Sequence, residues 1–188
     1  MGSQDIPMQR NAYNAQEEAF NLGIRIDLVR TVEMAWQWSP LDRAMMISVD
    51  LPRHVVNEAI AHCICHVELA STAKGTAALN GQWWRARLEM DIHTIVAERL
   101  ISVEALADAI SITDNIADVA ACLGTTEFML SWRLQNLTDA QINELPIFAL
   151  NRLRWGPGHD PDAPARCGWP VPGTGEVYRE TNIGRHRR

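Results

Sequence analysis

The chain has 188 residues, of which 47% are hydrophobic and 21% charged, and a formal net charge of −6. This length suits one globular domain with at most an appendage, and the apolar fraction excludes a chain that is disordered throughout. No apolar run approaches the roughly 20 residues that a membrane-spanning helix needs, and the N-terminus lacks the apolar stretch of a secretory signal. We therefore expect a cytoplasmic protein without a membrane partner.

Hydrophobic patterning predicts an α+β fold with a small N-terminal sheet and a helical C-terminal half. Pro52 suits the first turn of a helix. The adjacent residues Trp83 and Trp84 are predicted to anchor the core or a loop rather than to bind a substrate. The predicted elements are a helix over 14–22, a strand over 24–28, a strand or irregular segment over 31–38, a turn over 39–42, a strand over 45–49, a helix over 53–69, a flexible loop over 70–81, and helices over 83–100, 103–110, 115–123, 127–137 and 139–150.

Charge and composition divide the chain into three parts. Residues 152–188 hold seven Arg against four Asp or Glu, a net of +3, which leaves −9 on the remainder. Five Pro and five Gly within residues 155–175 predict an extended, disordered tail. We therefore assign 1–22 to an N-terminal segment, 23–151 to the folded domain and 152–188 to a basic tail. The acidic domain argues against a nucleic-acid partner.

Two histidines on the predicted helix over 53–69 have the spacing of a metal-binding pair. His62 and His66 stand four residues apart, so they lie one turn apart on one helix face and can share a zinc ion. The zinc-peptidase motif is H-E-x-x-H, and here Cys63 occupies the Glu position. The spacing alone is also compatible with two ordinary, partly buried histidines.

The order of motifs around this pair resembles the ImmA/IrrE family of zinc metallopeptidases. Residues 61–66, AHCICH, are similar to the family's A-H-E-x-x-H motif except at the Glu. Residues 89–91, EMD, resemble its E-A-D/N motif, and 97–101, AERLI, its A-x-x-L-L/I motif at a slightly longer spacing. The resemblance covers roughly residues 22 to 140.

The resemblance implies a zincin-like fold and three zinc ligands, His62, His66 and Glu89, with a fourth position open. It also implies a helix-turn-helix repressor as substrate or binding partner, in the regulation of phages or mobile elements. A surface carboxylate is the alternative for Glu89. His93, one turn further along, is a candidate substitute ligand or a residue that orients Glu89.

Cys63 is the main departure from the family. The family's Glu is the general base of peptide hydrolysis, whereas a thiol with its ordinary pKa of about 8.5 is a poor base at neutral pH. We therefore expect lost or strongly reduced peptidase activity. Glu58, one turn before His62, is a candidate substitute base, although it would approach the metal from a different direction.

The apolar residues of 116–134 have the spacing expected of two packed helices joined by a turn, as in a helix-turn-helix unit. A helix that reads DNA needs polar and basic side chains. The second helix contains Glu127, Phe128, Met129 and Trp132, and its only basic residue is Arg133. This composition favours packing over DNA contact. Three functions stay open at this point: an impaired metallopeptidase, a non-catalytic protein that binds a repressor, and a DNA-binding transcriptional regulator.

Overall fold

The computed structural model describes residues 13–30 and 35–153, which form an α+β structure. The predicted tail therefore lies outside the described residues from 154 onward, and residues 152 and 153 complete a helix. The described elements are α1 (Ala15–Asn21), β1 (Arg25–Val29), β2 (Trp36–Ser39), β3 (Ala44–Ser48), α2 (Arg53–Leu69), α3 (Ala73–Ala78), α4 (Gln82–Leu100), α5 (Val103–Ile112), α6 (Ile116–Leu123), α7 (Glu127–Gln135), α8 (Asp139–Glu144) and α9 (Ile147–Leu153).

The three strands form one mixed sheet in the order β1-β3-β2. The central strand, β3, runs parallel to β1 and antiparallel to β2. Four of the five residues of β3 are buried, and two of them, Met45 and Ile47, lie on the same face of the strand and belong to the hydrophobic core. The predicted strands over 24–28 and 45–49 are confirmed to within one residue, and the ambiguous segment over 31–38 contains part of β2.

Helix α2 lies at the centre of the domain, with the bounds that the sequence predicts. Pro52 occupies its N-cap in an extended conformation, which starts the helix without requiring a backbone N–H. The helix packs against α1, α3, α4 and β3. Its buried residues are Ala59, Ile60, Ala61, Cys63, Ile64 and Cys65.

The prediction of a flexible loop over 70–81 is wrong, because this segment contains α3. The Thr72 hydroxyl accepts a hydrogen bond from the Gly75 amide at 3.2 Å and donates one to the Leu69 carbonyl at 2.7 Å. A Cβ atom at Gly75 would collide with the Leu69 carbonyl oxygen. Gly75 therefore permits close backbone packing at a position where the composition indicated a helix breaker.

The prediction of one helix over 139–150 is also wrong, because Pro146 divides it into α8 and α9. Leu145, directly before the proline, is extended with ψ of 132°, as expected for a residue whose helical conformation clashes with a following proline ring. Thr138 and Gln141 form a capping box at the start of α8.

Trp83 and Trp84 were predicted to be a core or loop anchor, and the structure excludes the core alternative. They begin α4 with 67% and 48% of their surface exposed, and their rings pack edge-to-face against each other. Among the helices within 13–30 and 35–153, none has both the length and the apolarity that a membrane crossing requires.

Arg133 on α7 is buried, with 3% of its surface exposed. Its Nε donates to the Ile101 carbonyl at 3.0 Å, and its Nη1 donates to Gln141 Oε1 at 3.2 Å and lies 3.6 Å from Glu98. Burial lowers the pKa of Arg133 from its ordinary value, and Glu98 opposes that shift. Its guanidinium thus joins α7 to the end of α4 and to α8.

We predict that Arg133→Ala lowers the free energy of unfolding by about 2–4 kcal/mol, because it leaves the buried Ile101 carbonyl without its donor. Urea denaturation followed by circular dichroism measures the change. Arg87→Ala is the control, since Arg87 is exposed and its ion pair with Asp91 is long, at 3.9 Å. This variant should lower the free energy of unfolding by less than about 0.5 kcal/mol. Equal losses for both variants would contradict the structural role of Arg133.

Candidate metal centre

Helix α2 places the imidazoles of His62 and His66 side by side. The two Nε2 atoms are 3.1 Å apart and the ring centroids 4.8 Å apart. One turn of helix separates the residues, so their side chains leave the same face. This geometry agrees with the pairing that the i, i+4 spacing predicts.

Helix α4 brings Glu89 to the same point. One carboxylate oxygen is 3.2 Å from His62 Nε2 and the other is 3.3 Å from His66 Nε2. All three groups offer a ligand atom, and these atoms lie within 4.8 Å of one another. The structure thus brings together the three residues predicted as metal ligands.

The donor set fits a zinc ion. Ligand atoms placed 2.0–2.1 Å from zinc at tetrahedral corners stand about 3.3 Å apart, which agrees with the distances of 3.1 to 3.3 Å between these donors. Two imidazoles and one carboxylate are also the ligand set of many open zinc sites. The same donor set also suits other transition metals that accept nitrogen and oxygen ligands.

The electrostatics of the cluster favour an ionised Glu89. Burial alone would raise the pKa of this carboxyl, but hydrogen bonds from His62 and His66 outweigh burial and bring the pKa below its ordinary value. A carboxylate must be deprotonated to bind a metal. Glu89 is also the most exposed member of the cluster, with 43% of its side chain accessible, so the cluster opens to solvent on its side.

Cys63 does not join this cluster. Its side chain is fully buried in the hydrophobic core, as is that of Cys65. Burial raises the pKa of the Cys63 thiol to about 12, and the neighbouring Cys65 contributes in the same direction. At the position where the ImmA/IrrE motif has its Glu, this chain therefore holds a neutral, enclosed thiol.

The carboxylate of Glu58 accepts hydrogen bonds from residues at the start of α7. One of its oxygens accepts hydrogen bonds from the Thr125 hydroxyl and the Thr126 amide, both at 2.6 Å, and the other accepts one from the Thr126 hydroxyl at 3.0 Å. The carboxylate adds to the capping of α7, where negative charge near a helix N-terminus is favourable. The sequence could not indicate this role, because the partners lie 67 and 68 residues away.

His93 lies beside the cluster rather than within it. Its ring centroid is 5.3 Å from that of His62, 5.3 Å from Phe128 and 5.2 Å from Trp132. Burial lowers the pKa of His93, and the charge of His62 adds to the effect. The imidazole is therefore neutral at pH 7 and packs between a metal-ligand candidate and α7.

Trp36 contacts the site although no sequence motif includes it. Its ring lies 5.5 Å from that of His62. The sequence gives no local signal for this contact, because it depends on the position of the sheet relative to α2.

The segment over 116–134 forms two helices, α6 and α7, joined by a turn in which Gly124 has a left-handed conformation with φ of 62°. The only basic residue of α7 is Arg133, and it is buried. Phe128 and Trp132 pack on His93. The second helix of this unit is thus used largely for internal contacts.

No protein-family model, curated protein or solved structure matches this chain.

We predict that Glu58→Ala lowers the free energy of unfolding by about 1–3 kcal/mol, since three hydrogen bonds to the start of α7 are lost. Thermal and urea denaturation measure the effect. The matched control is Glu127→Ala, which removes an exposed carboxylate from the first turn of the same helix and should cost about 0.5 kcal/mol or less. A loss at Glu58 no larger than that of the control would contradict this capping role.

Proposed function

We propose that this chain is a zinc-binding, ImmA/IrrE-like protein in which peptidase chemistry is impaired, and that it acts by binding a helix-turn-helix repressor. The observation that carries the metal site is the convergence of His62, His66 and Glu89 within ligand distance of one another. Zinc held by three protein groups keeps a fourth position open and acts there as a Lewis acid on a carbonyl oxygen.

The positions of the two candidate bases support impaired hydrolysis. Cys63 is enclosed by the core and is not among the three residues whose ligand atoms converge. Both oxygens of Glu58 accept hydrogen bonds from the residues that begin α7. Neither group is free to take a proton from a water molecule attacking a bound peptide, and loss of a general base reduces such rates by about 10²–10⁴-fold.

The resemblance of residues 22–140 to the ImmA/IrrE family supports the choice of partner. A repressor segment bound with a carbonyl toward the metal would stay intact, because the step that cleaves it would be slow. The DNA-binding alternative is less favoured. In α7, Phe128 and Trp132 pack on His93, and the only basic residue of this helix, Arg133, is buried.

We predict that purified protein binds about one equivalent of zinc, and that His62→Ala, His66→Ala or Glu89→Ala reduces this to below about a tenth of an equivalent. Elemental analysis after dialysis against metal-free buffer measures the content. His54→Ala is the matched control, because His54 lies on the same helix outside the cluster. Zinc content that is low in the unaltered protein, or unchanged in all four variants, would refute this metal site.

We further predict that the unaltered protein binds a purified helix-turn-helix repressor encoded beside its own gene without metal-dependent cleavage. Cys63→Glu restores the family's carboxylate, so it should raise cleavage by about 10²-fold or more, measured by mass spectrometry of the products. Cys63→Gln is the control of equal size without a base, and circular dichroism verifies that both variants fold. Chelator-sensitive cleavage by the unaltered protein would contradict impaired catalysis, and His93→Gln would then test whether His93 supplies the base.

A further inference from the structure

Aromatic and imidazole rings form a continuous row across the candidate metal centre. The row runs from Trp36 on β2 through His62 on α2 and His93 on α4 to Phe128 on α7, with centroid distances of 5.5, 5.3 and 5.3 Å. Trp132 packs on both His93 and Phe128, at 5.2 and 5.9 Å. These separations fall in the range at which aromatic rings attract each other.

Phe128 ends the row at the surface. Its side chain is 43% exposed even though its ring packs on His93. Single exposed apolar side chains are common on proteins. Phe128 differs from such residues because it is the second ring after His62 in the row, with His93 between them, and His62 belongs to the cluster that opens to solvent at Glu89.

The position of Phe128 is fixed by contacts on both sides of α7. Glu58, from the helix that carries both histidines, binds the residues directly before the first turn of α7. One turn after Phe128, the Trp132 indole N–H donates to Thr94 Oγ1 at 3.1 Å, which ties α7 to α4 next to His93. The ring of Phe128 and the candidate metal ligands therefore lie on helices that are joined by packing and hydrogen bonds.

We propose that Phe128 is a specificity-determining residue, which selects an aromatic side chain on a peptide whose carbonyl faces the metal. This inference rests on the metal site of the proposed function and names the chemistry of the segment that it recognises. A side chain next to a metal-bound carbonyl would extend past His62 and His93 and reach the exposed face of the Phe128 ring. An aromatic ring there would pack on Phe128 and remove its apolar surface from water.

The test uses cobalt-loaded protein and three hydroxamic acids, which bind a metal through the same two oxygens and differ only in the attached group. These are acetohydroxamic, phenylacetohydroxamic and cyclohexylacetohydroxamic acid. Cobalt absorption is titrated first to establish metal stoichiometry, and each hydroxamate is then titrated to give its Kd. We expect the phenyl compound to bind about tenfold or more tightly than the methyl compound.

Phe128→Ala should reduce that preference to about twofold while the Kd of acetohydroxamic acid changes by less than about twofold. The unaltered protein should also bind the phenyl compound more tightly than the cyclohexyl compound, because aromatic rings attract each other beyond their burial. Phe128→Leu keeps apolar bulk without an aromatic ring and should lose this second preference. Phe148→Ala is the matched control, because Phe148 is 44% exposed on α9, and it should leave every ratio unchanged.

Stoichiometric cobalt binding without a phenyl preference, or with a preference that both Phe128 variants retain, would overturn the role of Phe128 and leave the metal site standing. Failure to bind cobalt would overturn the metal site and this inference together. The metal titration precedes any hydroxamate, so the two failures are distinguished.

Discussion

The packing of α4 against α2 is the contact on which the rest of the molecule depends. It buries Ile92, Val96 and Ala97 of α4 in the same core as Ile60 and Ile64 of α2. The same pair of helices brings Glu89 to His62 and His66. Apolar burial fixes the two helices and thereby places a carboxylate beside two imidazoles. The hydrophobic core therefore positions the three side chains that could bind a metal.

An element can be predicted from the sequence when the residues that determine it lie close together in the chain. The bounds of α2 follow from Pro52, and the pairing of His62 with His66 follows from helical periodicity, so both could be read from a short stretch of sequence. Glu89 could be predicted only through the resemblance, since its partners are on another helix. Pro146 was present in the sequence and carried the correct signal for a break, whereas Gly75 marked close packing that only the fold reveals.

The role of Glu58 shows the same limit at the site itself. From its position one turn before His62, the carboxylate was a reasonable candidate for a base, because residues at that spacing share a helix face. In the fold the face also meets the N-terminus of α7, where amide and hydroxyl groups offer better partners than solvent. The partners are distant in sequence, so no local pattern could have separated a helix cap from a base.

The replacement at Cys63 links the chemistry of the site to its packing. A small thiol fits the buried side of α2, whereas a carboxylate at this position must either reach the solvent-exposed cluster or carry a desolvation cost in the core. The chain holds three side chains that could bind a metal, and Glu58 connects α2 to the start of α7 through hydrogen bonds. Under the proposed function, the group that this site lacks is a general base beside the metal. Three ligands without a base would favour holding a carbonyl over cleaving the bond next to it, and the row of rings that ends at Phe128 would extend the contact to the side chain of the bound segment.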